Sequence, residues 1–105
     1  MKKIYNKLVR DRIPEIIEAS GARCKTEILA DEEYIAMLDR KLDEELAEYR
    51  ADHSIEELAD LLEVIRAVAV ARGYTLDELE AVRASKAKKR GGFSKRIFLC
   101  EVSEK

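Results

Sequence analysis

The feature that most constrains this chain is Lys41–Arg72, KLDEELAEYRADHSIEELADLLEVIRAVAVAR, in which two helix-length patterns are joined by a few polar residues. Each pattern carries acidic residues at i, i+3. Between Asp43 and Glu63 stand nine carboxylates (Asp43, Glu44, Glu45, Glu48, Asp52, Glu56, Glu57, Asp60, Glu63) against one base, Arg50. Like charges at that density repel unless a cation offsets them or they point to different sides. The spacing makes some of them converge, and a divalent-metal site is the first hypothesis.

A helical wheel selects the candidates. At about 100° per residue, with Leu38 at zero, Ile35, Leu42, Leu46 and Tyr49 form a stripe at roughly 0° to 80°. Glu45 falls at roughly −20°, inside the edge of that stripe, and Glu48 at about −80° beside it. A surface glutamate has no reason to sit among leucines, because desolvating an unpaired carboxylate costs several kcal/mol. In the second pattern Leu58, Leu61, Leu62, Ile65 and Val68 make the apolar face, and Glu57 and Asp60 lie together on one flank of it, either side of Val64. Two acidic pairs on adjacent helices supply four carboxylate arms, the hard oxygen ligands that Mg²⁺ or Mn²⁺ prefers. A blander reading stays open beside it. Ser54-Ile-Glu-Glu57 fits a capping box, which would make Glu57 a helix cap, and runs rich in Glu and Lys are commonly solvated faces.

At 105 residues the chain is expected to be one domain. Charged residues make up 40% and aromatics 6%, with no Trp, so the interior must be built from Leu, Ile, Val and Ala. A small helical chain of this kind often completes its core by pairing with a second copy. A formal net charge of −2 argues neither for nucleic acid nor for a membrane surface as partner. No apolar run approaches membrane-spanning length, and the lysine-bearing N-terminus has no signal-peptide core. Cys24 and Cys100 lie far apart without metal spacing and read as reduced thiols of a cytoplasmic protein.

The mild total hides a segregation of charge. Outside Asp43–Glu63 the chain has 19 bases and 13 acids, with the bases concentrated at its two ends. Lys2–Arg12 holds five bases and one acid, and Lys7, Arg10 and Arg12 are candidate phosphate contacts. Pro14–Ser20 reads as a short helix with Ile13, Ile16 and Ile17 facing inward, stopped at Gly21. Ala22–Ala30 reads as extended or loop. Asp31 is expected to cap a helix running to about Arg50, and Ala51–Ser54 is short enough to make the two long helices an antiparallel hairpin. The lone histidine, His53, excludes a multi-histidine metal site and suits a solvent-facing loop. The second long helix should end near Gly73, and the capping box Thr75-Leu-Asp-Glu78 starts another helix that turns basic towards its end.

Arg83–Arg96, RASKAKKRGGFSKR, has seven bases and no acids. With Gly91 and Gly92 breaking the helix, Lys88, Arg90 and Arg96 suit a phosphate cradle on which Phe93 stacks on a base or ribose. The equally weighted alternative makes the glycines a plain turn and Phe93 a core plug. Few aromatics and an acidic middle argue against a nucleic-acid partner. Ile97–Val102 is expected as a short strand or extended tail packed on the helices or on a partner subunit.

The fold class expected is therefore all-α: a helical hairpin core, additional short helices and an extended C-terminal tail, completed by oligomerisation. Carboxylates beside basic, glycine-containing ends suit a metal-chelated polyphosphate attacked by water. There is no Walker-type glycine loop and no serine or cysteine nucleophile with an evident base.

KLVRDRIPEII, the pair EELAE and EELADLLEVI, and the closing KKRGGFSKRIFL together resemble the MazG-like and phosphoribosyl-ATP-pyrophosphohydrolase-like proteins of the all-α NTP pyrophosphohydrolase superfamily, over nearly the whole chain. The resemblance implies a helical, Mg²⁺-dependent hydrolase, usually a homodimer or homotetramer, that cuts a nucleoside triphosphate between its α and β phosphates. The family's ExxE and ExxD metal pattern falls on Glu45 and Glu48, then Glu57 and Asp60, with Glu44 or Glu63 as substitutes if the short gap displaces Glu57. It also implies that the RGGF segment and the basic N-terminal motif border the substrate. Phosphoribosyl-ATP is the alternative substrate, and a non-catalytic dimerisation or nucleotide-binding module is the alternative of a different class.

Overall fold

The computed structural model describes residues 2–104. These form four helices, with no strand among the described residues: α1 (Ile13–Ala19), α2 (Asp31–Asp52), α3 (Ile55–Ala71) and α4 (Leu76–Arg90). The chain divides between Tyr74 and Thr75 into two compact units, the first holding α1 to α3 and the second holding α4 and the C-terminal tail.

Each boundary has a local cause. α1 starts with a proline in its first turn, where the missing N–H costs nothing, and stops before Gly21, which takes φ of 98°. α2 begins at Asp31, which is its first helical residue, whereas Ala30 holds the cap position without a side-chain bond. Asp31, Glu32 and Glu33 therefore act on α2 through the positive end of its dipole. At its far end α2 runs to Asp52, two residues beyond the expected stop. His53 closes it in the left-handed region at φ 58°, its ring 5.3 Å from the Tyr49 ring in an edge-on contact. Only His53 and Ser54 remain between α2 and α3.

Ser54 caps α3 by accepting the Glu57 N–H at 3.3 Å. α3 ends ahead of Gly73, where the Tyr74 N–H reaches the Ala69 carbonyl at 2.9 Å. In the second unit, Thr75 and Glu78 form the full reciprocal capping box at the start of α4. α4 stops at Gly91, whose φ of 85° and ψ of 177° define a backbone state essentially reserved for glycine.

In the first unit α2 and α3 pack on one another, and the Arg72 guanidinium donates to the Asp39 carboxylate at 3.1 Å. The buried apolar residues are Leu38 of α2 with Val64 and Ala69 of α3. The covered sides agree in part with those the wheels suggest. On α2 Ile35, Leu38, Leu42 and Tyr49 are covered as the wheel has them, with Lys41 and Glu45 beside them, and Leu46 is exposed. On α3 the covered arc is centred on Val64 and takes in Leu61, Ala67, Val68 and Ala71, while Leu58, Leu62 and Ile65 are exposed. Small residues on the Val64 side let a neighbouring helix approach closely, and apolar periodicity alone does not reveal which of two apolar faces that neighbour takes.

Two further expectations are corrected. Ile16 and Ile17 of α1 are exposed, and only Ile13 is partly covered. Of the two forms expected for Ile97–Val102, strand or extended tail, the strand is not formed; Ile97, Phe98, Leu99 and Val102 are exposed, as is Phe93, at 98%, which is therefore no core plug. Both cysteines are free thiols, Cys24 half-buried and Cys100 exposed. No helix of the described residues is long and apolar enough to cross a membrane.

Candidate metal centre

Glu45 on α2 and Glu57 and Asp60 on α3 are all half-buried, and each offers a carboxylate oxygen within 4.8 Å of the others. The reason lies in the helix faces. Glu57, Asp60 and Val64 share the covered side of α3, and Glu45 shares the covered side of α2, so packing the two helices turns the acids towards one point. Hard oxygens around Mg²⁺ stand about 2.1 Å from the ion, hence about 4.2 Å apart across it. A spread of 4.8 Å closes to that value with small side-chain rotations. The donor set fits a hard divalent cation.

The open question about Glu57 has a geometric answer. Its backbone N–H is capped by Ser54, but its carboxylate does not return to the Ser54 N–H, in contrast to Glu78 at Thr75. The Glu57 side chain is instead in the acidic group. Its pKa is raised above the usual 4.5, first by partial desolvation and then by the charges of Glu48, Asp60, Glu45 and Asp52. Glu48 is exposed and lies outside the three-carboxylate group, close enough to act on Glu57 through its field.

Two cations sit against the cluster. Lys41 Nζ is 3.3 Å from Glu45 Oε1 and 3.5 Å from Glu44 Oε2, with the Lys41 and Glu45 side chains only 19% and 12% exposed. Lys41 is the one close neighbour that sequence reasoning missed; its i, i+4 spacing to Glu45 was the available signal. Arg10 donates from Nη2 to Asp60 Oδ1 at 2.7 Å, which brings the basic N-terminal segment onto α3. A guanidinium there is placed to meet a phosphate oxygen as readily as a carboxylate.

Within the first unit the other basic candidates, Lys7 and Arg12, have different partners. Arg12 pairs with Glu15 of α1 at 2.7 Å, and Lys7 lies over the Tyr5 ring at 5.8 Å. Lys88, Arg90, Gly91, Gly92, Phe93 and Arg96 belong to the second unit and are exposed. There the Arg96 N–H closes a turn onto the Phe93 carbonyl at 3.1 Å. A shallow groove on α4 is lined by Ala81, Val82, Ser85, Lys86, Lys89 and Arg90.

Over 44 residues the chain is 64% identical to a protein of Mycolicibacterium smegmatis described as uncharacterized, a stretch covering 42% of this chain and 45% of that protein. The chain thus spans less than half the length of the relative it matches. No family model and no solved structure matches it.

Proposed function

We propose that this protein is a Mg²⁺-dependent nucleotide pyrophosphohydrolase, MazG-like in kind, which cleaves a nucleoside triphosphate to the monophosphate and pyrophosphate. One observation carries the reading: three half-buried carboxylates from two helices meet within 4.8 Å, at positions that the ExxE and ExxD pattern also selects. Glu45, Glu57 and Asp60 would hold the cation, with Mn²⁺ as a substitute. The bound ion supplies neutralising charge to the phosphate chain and acidity to water.

The chain's own residues do the rest. Helix packing fixes the carboxylates before substrate arrives, so no loop has to be ordered to assemble them. Arg10 offers a guanidinium beside Asp60 to a phosphate oxygen. By themselves, the exposed bases of α4 and Phe93 in the second unit suit a phosphate group and a nucleotide base. Two finer features of the architecture belong to the same reading, the antiparallel arrangement of α2 and α3 and self-association. The two-residue connection and the ion pair from Arg72 back to Asp39 support the first.

The test is a panel of nucleoside triphosphates and phosphoribosyl-ATP, with and without Mg²⁺, scored for pyrophosphate against orthophosphate. Metal-dependent pyrophosphate release from nucleoside triphosphates is expected. Turnover of phosphoribosyl-ATP alone would move the substrate to the larger nucleotide. Binding without turnover of any member would leave a regulatory module.

A further inference from the structure

Lys41 does not behave as a surface lysine. Its side chain is 19% exposed, beside a Glu45 side chain that is 12% exposed. Lysine stems commonly lie along apolar surface and carry the ammonium out to water. Here Nζ turns onto two carboxylates instead, 3.3 Å from Glu45 Oε1 and 3.5 Å from Glu44 Oε2. Helix stability does not account for the arrangement. In an i, i+4 pair the favourable order puts the acid first, and here the base precedes Glu45. An ammonium so far withdrawn from water stays charged only because acids hold it there.

The charge of the acidic group is unevenly met. Asp60 has Arg10, in a pair whose side chains are 57% and 40% exposed and therefore open to screening. Glu45 has Lys41, in a pair that water scarcely reaches. Glu57 is raised in pKa by desolvation and then by Glu48, Asp60, Glu45 and Asp52, all of them acids. The α3 side of the group is thus short of positive charge, while its α2 side is already occupied. To let the three carboxylates hold a cation together, Lys41 must yield Glu45 Oε1 or share that carboxylate. Either way an ammonium remains next to a like charge, and in a half-buried pair the repulsion is weakly screened. An anion that both cations can hold relieves it, and the oxygens of a polyphosphate are such an anion.

We infer that Lys41 makes the centre take its divalent ion together with a polyphosphate rather than alone. Its charge lowers the affinity for the bare ion, and its ammonium, turned from Glu45, holds a phosphate oxygen. The two ligands are then coupled, each raising the affinity for the other. The inference rests on the hydrolase reading and adds to it the residue that ties metal to substrate.

Binding of Mn²⁺ to the full chain, followed by loss of the free-ion paramagnetic resonance signal, tests it in wild type, Lys41→Met, Lys41→Gln and Lys41→Arg. Titration calorimetry at saturating Mn²⁺ gives the affinity for α,β-methylene-ATP, which resists cleavage at the proposed bond. The two neutral variants should each lower the Mn²⁺ dissociation constant about tenfold and raise that of the analogue about tenfold, whereas Lys41→Arg should keep both within about threefold of wild type. Loss of a lysine that only packs α2 would loosen the carboxylates and weaken Mn²⁺, so a gain in affinity is a result that structural damage does not give. Lys41→Gln, shorter and polar, decides where Lys41→Met does not fold. Unchanged or weaker Mn²⁺ binding in the neutral variants would overturn the inference, as would tighter Mn²⁺ with an unaltered analogue constant. In both cases a wild type that binds Mn²⁺ and releases pyrophosphate leaves the hydrolase reading standing. A wild type that binds no Mn²⁺, with or without the analogue, overturns that reading and the role of Lys41 with it.

Discussion

Glu57 is held at odds with its own charge. Desolvation and four neighbouring carboxylates raise its pKa above 4.5. A carboxyl group whose folded pKa is raised stabilises the fold fully below its unfolded pKa, and that contribution is lost as pH rises through the folded value. In metal-free protein, Glu57→Gln should therefore raise Tm at neutral pH and give no gain below the ordinary 4.5, as calorimetry across a pH series would show. Adding Mg²⁺ or Mn²⁺ should reverse the ranking. Wild type gains about 2.7 kcal/mol when the ion stands at a hundred times its dissociation constant, and the variant gains far less. Asp60→Asn and Glu45→Gln should each cut metal-dependent pyrophosphate release by about a hundredfold or more, with the circular-dichroism spectrum preserved. Glu45 was legible because it falls among the apolar residues of α2, where an acid needs a partner; the structure supplies one in Lys41, at 3.3 Å. Arg10 and Asp60 were harder. The residues are 50 positions apart, and no local periodicity links them.

At the scale of elements, starts and stops were readable where one side chain bonds to a nearby backbone group. Thr75 with Glu78 forms the box its sequence announces, and Ser54 caps α3 as its position suggests. Removing such a cap costs about 1 kcal/mol, so Thr75→Ala should speed hydrogen exchange in the first turns of α4 while leaving α2 unchanged. Asp31 misled because an acid in the first turn and an acid at the cap position leave nearly the same trace in sequence. The end of α2 was misplaced for a different reason: His53 adopts a left-handed conformation more usual for glycine or asparagine, and nothing local marks it. Ile97–Val102 has the composition of a strand, but a strand exists only where a second one bonds to it. α3 shows the same limit in helical form. Its apolar period was plain, and the identity of the neighbour on each side is a tertiary fact.

For the molecule as a whole, burial is the quantity that argues most strongly. Among the described residues the buried apolar side chains are Leu38, Val64 and Ala69, a small core for a chain of 105 residues. If association supplies the missing contacts, stability is a property of concentration. The midpoint of thermal unfolding should then rise with protein concentration, by mass action, whereas a self-sufficient monomer would unfold at one temperature throughout a dilution series. Sequence composition raises the same expectation, since a chain rich in charge and poor in aromatics has little with which to fill an interior. It does not reveal the surface that answers it.

The joint between α2 and α3 is only His53 and Ser54, and it ties chain length to chemistry. Each residue added to or removed from α3 between that joint and Glu57 would swing the downstream acids by about 100° about the axis, carrying them from beside Glu45 towards open water. Point substitutions on the outer surfaces of these helices are cheap by comparison. Among descendants of this chain, drift in side chains can be broad, but a single-codon deletion at the start of α3 would disarm the centre at once.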